Sequence, residues 1–330
     1  MITARKAAKL GKAYLESLVH PLPLWVHLWI TNRCNLTCDY CYVVDNHSKD
    51  PSLEKVQSWI AHSDALGAAI VAFMGGEPLL RKDLTEIVSS ADQRNLMTYL
   101  TTNGKLLTPK RLEELAQAGL DILEISIDGY GQTRKSGKTL DGKETLIDWL
   151  EDTHRKYGMR FKIHQVLSPE TVEETPNLLE LVRNRRIPIS FGIVYQADKT
   201  VKFNPKEKEK MEQALRLLIE SKRKGLPIIN PLRYFQDAGF SLEHPYRINC
   251  DIGKYMIQVS TNGKVYVCSK LKEESGINFL DINKDYFKSD QHKSKELLER
   301  CSYNCLSACA YTTNYFREKP LSFISAMRKG

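Results

Sequence analysis

A chain of 330 residues with 42% apolar and 27% charged side chains is able to bury one large core and a small one, and its composition excludes a disordered or collagen-like chain. Its longest apolar stretch, residues 22–30, contains Pro23 and His27 and is too short to cross a bilayer. The N-terminus lacks the apolar core of a secretory signal, so the eight cysteines and their close spacing point to metal ligation in a reducing compartment, and a cytoplasmic location is expected.

Residues 2–19 place Ala7, Leu10, Tyr14, Leu15 and Leu18 roughly on one side and Lys6, Lys9 and Lys12 among the polar positions. This predicts an amphipathic helix packed on the main domain, and a basic helix of this kind is also able to lie on a membrane surface. The apolar run 24–30 predicts a buried strand, and TNRCNLTCDYCYV (31–43) follows it directly. Cys34, Cys38 and Cys41 stand there in a C-x3-C-x2-C pattern. Three thiolates from one short loop can grip a soft metal centre, yet they are one ligand short of a 4Fe–4S cluster or a tetrahedral zinc site. Such a centre is open to another molecule in its last position. A zinc loop completed by a distant His or Cys, or three unrelated buried thiols, are the alternatives.

Strand and helix signals then alternate. Asp50-Pro51 predicts the cap of a helix carrying Leu53, Val56, Trp59 and Ile60; the strand 69–73 ends in the Gly75-Gly76 turn. A helix from about 83 leads to the strand 97–102 and the turn Asn103-Gly104, and Thr108-Pro109 opens a helix that Gly119 closes. The strand 121–127 ends at Asp128-Gly129, followed by a helix over 139–157, a strand over 160–167, a helix over 175–186 and a sixth strand over 187–194. Six β-α units in a row predict an α/β fold whose parallel sheet curves toward a barrel. In barrels of this kind the chemistry sits at the C-terminal ends of the strands.

Residues 199–224 hold nine Lys/Arg against four Asp/Glu and read as a helix with Asn204 as N-cap, Pro205 at N1 and Glu207 at capping-box spacing. The charge suits either a solvated face or a docking surface for an acidic partner. No aromatic residues are interleaved with it, which argues against nucleic acid.

Five cysteines remain: Cys250, Cys268, Cys301, Cys305 and Cys309. Alternating Tyr255, Ile257, Val259 and Val265, Val267 flank Asn262-Gly263, a β-hairpin signal that brings Cys250 and Cys268 together. Cys301-x3-Cys305-x3-Cys309 has helical spacing. These thiols supply four ligands with one to spare, for an iron–sulfur cluster or for zinc.

The C-x3-C-x2-C motif with an aromatic residue, Tyr40, before its third cysteine resembles the signature of the radical S-adenosylmethionine (SAM) enzymes. Gly75-Gly76-Glu77-Pro78 resembles their GGEP motif, which receives the SAM amino group. The resemblance implies that Cys34, Cys38 and Cys41 each bind one iron of a 4Fe–4S cluster and that SAM chelates the fourth. It sharpens the fold to a partial (β/α)6, TIM-like barrel over residues 21–225, after an N-terminal helix over 1–20. Thr102, Asn103 and Ser126 match positions that contact the SAM carboxylate or ribose, and Gln165 and Tyr195 those near ribose or adenine.

Residues 226–330 resemble the SPASM/twitch extension, a small β-hairpin plus helix domain that carries an auxiliary 4Fe–4S cluster. Cys250, Cys268 and two of Cys301, Cys305 and Cys309 would hold it. The chemistry implied is reductive cleavage of SAM to a 5′-deoxyadenosyl radical, abstraction of a substrate hydrogen, and oxidation or rearrangement of the substrate, with an electron donor such as flavodoxin or ferredoxin. Many SPASM/twitch relatives act on ribosomally made peptides. A small-molecule aminocyclitol or sugar dehydrogenase or epimerase is the second expectation, a lipid- or isoprenoid-modifying enzyme the third, and a non-catalytic zinc-binding protein the fourth.

Overall fold

A computed structural model describes residues 2–131, 136–141, 144–194, 203–244, 253–268, 273–288 and 306–319. Six strands alternate with helices: β1 (Trp25–Thr31), α2 (Leu53–Ala65), β2 (Ile70–Gly75), α3 (Leu84–Asp92), β3 (Met97–Thr102), α4 (Pro109–Gln117), β4 (Ile122–Ser126), α5 (Leu146–Tyr157), β5 (Arg160–Leu167), α6 (Thr175–Arg185) and β6 (Ile189–Ile193). They are preceded by α1 (Ala4–Val19) and followed by α7 (Pro205–Arg223) and α8 (Leu232–Ser241). Neighbours in sequence are parallel neighbours in the sheet from β1 to β6. The result is a partial parallel β/α barrel.

Period-two alternation sorts each strand's side chains between two faces. Val26, Leu28 and Ile30 of β1, Val71 and Phe73 of β2, Ile163 and Leu167 of β5, and Ile189 and Phe191 of β6 join the large core under the helices. The residues between them face the lumen, where Trp25, Ile70, Ala72, Met97, Tyr99 and Ile122 form a second cluster with Leu10 and Ala13 of α1. That helix closes the barrel at the N-terminal ends of the strands. Lys6 is buried there, bonded to Asp121 just before β4, with Asp92 at 2.7 Å, while Lys9 pairs with Asp64. The basic face of the helix is therefore turned partly onto the protein.

The hairpin expected from Asn262-Gly263 forms, but not as a separate layer. Strand β7 (Met256–Val259) lies parallel to β1, β8 (Lys264–Cys268) returns antiparallel to it, and β9 (Glu273–Asn278) pairs with β8. One sheet of nine strands runs in the order β6-β5-β4-β3-β2-β1-β7-β8-β9, so the auxiliary region is grafted onto the barrel's first strand. Gly263 supplies the positive φ of the turn, +84°.

Three local expectations are corrected. Helix α2 is capped by Ser52, whose hydroxyl accepts from the Lys55 N–H at 3.3 Å, because Asp50 is engaged elsewhere. Helix α5 starts at Leu146, not near 139, because residues 136–141 spend their backbone groups on the exit of β4: Asp128 N–H donates to Lys138 O at 2.7 Å and Leu140 N–H to Gly129 O at 3.1 Å. A continuous helix through all three late cysteines is excluded, because α9 (Ala308–Glu318) begins after Leu306 and Ser307, which are not helical. Cys309 lies in α9, and Cys301 and Cys305 lie outside the described residues.

The helix expected after Asn204 is present, with its capping box complete. Two of its lysines are engaged, Lys208 with Glu243 and Lys210 with Glu173, which supports the solvated-face reading over the docking surface. Among the described residues, no helix is long and apolar enough to cross a membrane.

Candidate active site at the C-terminal ends of the strands

The cysteine loop leaves β1 at Thr31 and is tied down on every side. Asp50 accepts from the Thr31 hydroxyl at 2.7 Å and from Arg33 Nε at 3.3 Å, so two residues of the loop root share one carboxylate. The Asn46 side-chain carbonyl accepts from the Cys34 N–H at 2.8 Å, and the Cys41 N–H donates to Cys38 O at 2.9 Å. The backbone of the Gly-Gly-Glu segment pairs with the loop directly, Gly76 N–H to Thr31 O at 2.8 Å and Glu77 N–H to Arg33 O at 2.7 Å.

That pairing explains the two glycines. A Cβ on Gly75 would stand 1.9 Å from Thr31 O and one on Gly76 2.1 Å from Arg33 O. Gly75 also has φ +132°, where only glycine is comfortable, whereas the constraint at Gly76 is steric. The glycines thus serve the approach of the cysteine loop.

Glu77 is fully buried and its carboxylate is organised by three donors: the Thr102 hydroxyl (2.7 Å), the Leu79 N–H (3.0 Å) and the Asn103 N–H (2.8 Å). Burial still pushes its carboxyl above the ordinary range. Pro78 opens a short 3-10 turn, Pro78–Leu80, that fixes the next residues. The Asn103 side-chain amide lies 3.8 Å from Cys34 Sγ and donates to Asn35 Oδ1 at 2.8 Å. Thr102 and Asn103, the residues at the end of β3 expected to face SAM, are therefore engaged with Glu77 and the cysteine loop.

The far side of the loop rests on β4. The Tyr40 phenol bonds to Asp128, which also accepts from Ser136 Oγ at 2.5 Å and the Val166 N–H at 2.9 Å. Ser136 Oγ lies 3.8 Å from Cys38 Sγ. Lys138 Nζ lies over the Tyr40 ring, 5.2 Å from its centroid. Burial, with the Asp128 carboxylate, pushes the Tyr40 phenol up. Burial opposes the charge of Lys138, but Tyr40, Asp128 and Cys38 hold its ammonium above the ordinary lysine value.

Cys34 is half-buried, Cys38 buried and Cys41 exposed, and all three thiols are free. Burial raises Cys34, with Glu77, Cys41 and Cys38 adding to the effect, as expected where thiols crowd together before a metal replaces their protons. Among the described residues, no three His, Cys, Asp or Glu side chains are gathered to hold a single metal ion. Three soft thiols on one loop can each take one iron of a 4Fe–4S cluster and leave one iron open. The donor set fits the cluster.

Below this rim the lumen is polar. Glu124 accepts from the Tyr99 hydroxyl at 2.6 Å and pairs with Lys162 at 2.7 Å; Lys162 and these hydrogen bonds hold its carboxyl down to about 2 although burial opposes them. His164 Nδ1 meets Ser190 Oγ at 2.9 Å, and burial keeps this imidazole below its ordinary value. His27 is buried, neither of its ring nitrogens has a hydrogen-bond partner among the described residues, and burial lowers it to about 4.

Ser126 ends β4, buried beside this group. Gln165 turns to the other face, donating to Asp128 O at 3.1 Å and Thr171 O at 2.9 Å and accepting from Thr175 at 3.1 Å, so its amide is consumed by the protein. Tyr195 and Cys250 lie outside the described residues, and Cys268 ends β8. No local pattern in the sequence marks Asn46, Asp50, Ser136 or Lys138 for this site. Glu124 and Lys162 had a readable signal: each is a charge at alternate positions of an otherwise apolar or mixed strand.

The family model of the Radical SAM superfamily matches residues 29–196, from the cysteine loop to the end of the sixth strand. The chain belongs to the radical SAM superfamily. This radical SAM chain is 27% identical over 214 residues to the Fe-coproporphyrin III synthase of Methanosarcina barkeri, covering 62% of this chain but only about half, 52%, of that protein. It is 24% identical over 296 residues to the PqqA peptide cyclase of Rhizobium meliloti, covering 85% of this chain and 76% of the relative.

In fold it is similar to Streptococcus suis SuiB bound to the precursor peptide SuiA, with a TM-score of 0.62, 15% identity, and coverage of 90% of this chain and 74% of SuiB. It is also similar to anSMEcpe with bound AdoMet, with a TM-score of 0.61, 18% identity, and coverage of 93% and 100%. The catalytic domain is thus that of the radical SAM enzymes, and the fold carries an auxiliary C-terminal region.

Proposed function

We propose that Cys34, Cys38 and Cys41 hold a 4Fe–4S cluster whose open iron takes SAM, and that the enzyme modifies a ribosomally made peptide. When bound, the cluster supplies the electron that cleaves SAM to methionine and a 5′-deoxyadenosyl radical, the species that takes a hydrogen atom from the substrate. The protein's part is placement. Gly75, Gly76 and Glu77 hold the cysteine loop against β2, Asn103 holds it from β3, and Tyr40 anchors it to β4 through Asp128. The polar lumen beneath receives the substrate group and keeps bulk water from the radical.

The observation that carries the cluster assignment is the set of free thiols on one loop pinned by three strand ends. Support for a peptide substrate comes from the similarity to a PqqA peptide cyclase and to SuiB with its precursor peptide. Cys250, Cys268 and two of Cys301, Cys305 and Cys309 are proposed to hold the auxiliary cluster, which would supply an acceptor for the electron of a substrate radical; flavodoxin or ferredoxin is the proposed donor. A small-molecule substrate is the second reading, favoured by the similarity to the Fe-coproporphyrin III synthase.

The test is anaerobic reconstitution with iron and sulfide, followed by SAM, dithionite and a candidate precursor peptide. Formation of 5′-deoxyadenosine with a mass change in the peptide is expected. Replacing Cys34, Cys38 and Cys41 together by Ala should remove about four irons per chain and abolish SAM cleavage. Persistent 5′-deoxyadenosine in that variant refutes the cluster assignment, and an unmodified peptide with active SAM cleavage refutes the substrate class.

A further inference from the structure

Residues 136–141 place a cation against the cysteine loop. Their main chain is fixed: Lys138 O accepts from Asp128 N–H at 2.7 Å, Lys138 N–H donates to Ser136 Oγ at 3.1 Å, and Lys105 Nζ holds Thr139 O at 3.0 Å. From this base the half-buried Lys138 side chain turns back over Tyr40, which lies between Cys38 and Cys41 in the motif, with its Nζ 5.2 Å from the ring centroid.

The nearby carboxylates are already committed. Asp128 takes hydrogen bonds from Tyr40, Ser136 and Val166, and Glu77 from Thr102, Leu79 and Asn103. Among the described residues, no carboxylate lies within ion-pair distance of the Lys138 ammonium. The half-buried ammonium has the Tyr40 ring beside it and the Asp128 carboxylate only beyond ion-pair distance, so a further negative charge at the loop is favoured there. The thiols of the loop supply one once they are thiolates on iron.

We propose that Lys138 is the counter-charge of the cluster held by Cys34, Cys38 and Cys41, and that it raises the reduction potential of that cluster while Asp128 lowers it. This rests on the cluster assignment above. One-electron reduction by an external donor adds one negative charge to the cluster, so a fixed positive charge nearby favours the reduced state and a buried carboxylate opposes it. Lys138 acts on the cluster through space and is a positioning residue for charge.

The test is an EPR-monitored redox titration of the reconstituted full chain with dithionite. The signal that changes on adding SAM marks the cluster with the open iron. Lys138→Met should lower the midpoint, by about tenfold in the reduction equilibrium or ~59 mV for one electron. Lys138→Arg should stay near wild type, and Asp128→Asn should move upward. A purely structural disturbance would move Lys138→Met and Asp128→Asn the same way.

An unmoved midpoint in Lys138→Met with full iron overturns the proposal, as does a common direction for the two variants. If Lys138→Met takes up no iron, the Asp128→Asn midpoint decides, and a value at or below wild type overturns it. Absence of any SAM-responsive signal in the wild type overturns the cluster assignment and this proposal with it. A SAM-responsive signal with unmoved midpoints overturns the role of Lys138 alone.

Discussion

Gly76 presents its backbone to Arg33 so closely that a Cβ would stand 2.1 Å from the Arg33 carbonyl oxygen, and the Glu77 N–H donates to that same oxygen at 2.7 Å. Two segments far apart in sequence are thereby joined backbone to backbone at the mouth of the barrel. The glycine pair is therefore a hinge-free seat for the cysteine loop.

Gly76→Val should push the loop off that seat and leave the barrel intact, since the core beneath β2 does not include this position. Iron uptake after reconstitution should fall by up to about four per chain, with the far-UV circular dichroism unchanged. Normal iron content in the variant would contradict this role for the glycine.

Glu77→Gln replaces an acceptor by a donor opposite either the Asn103 N–H or the Thr102 hydroxyl and Leu79 N–H. The unmade bond should cost about 1–3 kcal/mol of stability. Because Asn103 also touches Cys34, SAM affinity should fall as well. Urea unfolding and equilibrium dialysis with labelled SAM measure the two effects, and unchanged values in both would rule the account out.

His27 makes stability depend on pH with a definite sign. Its folded value of about 4 lies below the ordinary 6.5, so between those values the unfolded chain binds more protons than the folded one. Stability should therefore fall as pH drops from about 6.5 toward 4, by up to about 3 kcal/mol from this residue. Glu124 acts in a lower window, its contribution being lost only as pH falls from 4.5 toward about 2. Comparing urea unfolding at pH 7 and pH 5 for wild type and His27→Phe isolates the effect, and an equal loss in both proteins would show that His27 is not its source.

Lys6 and Asp121 are exposed by only 2% and 1%, and Asp121 also accepts from the Thr98 N–H at 2.9 Å. Removing one charge leaves the other buried without its partner, so Lys6→Met should cost about 3–5 kcal/mol. Adding Asp121→Asn to that variant should recover part of the loss, because the amide oxygen still serves Thr98. A double variant no more stable than Lys6→Met would mean that the charge left behind is not what destabilises it.

The sequence by itself determined whatever depends on near neighbours along the chain. Strand alternation, the turn at Asn262-Gly263, the Asn204–Glu207 capping box and the spacing of Cys34, Cys38 and Cys41 are local, and each appears in the structure where it was read. Local signals failed where a distant partner competed for the same groups: residues 136–141 resemble the start of a helix but pair with the exit of β4, and Asp50 resembles a cap but serves Thr31 and Arg33. Only the tertiary structure set β7 beside β1, tied Asn32 to Thr261 at 3.0 Å, and brought Lys138 over Tyr40. Those pairs join positions whose separation along the chain carries no period or motif, and they meet only because the sheet curves and gathers its strand ends at one mouth.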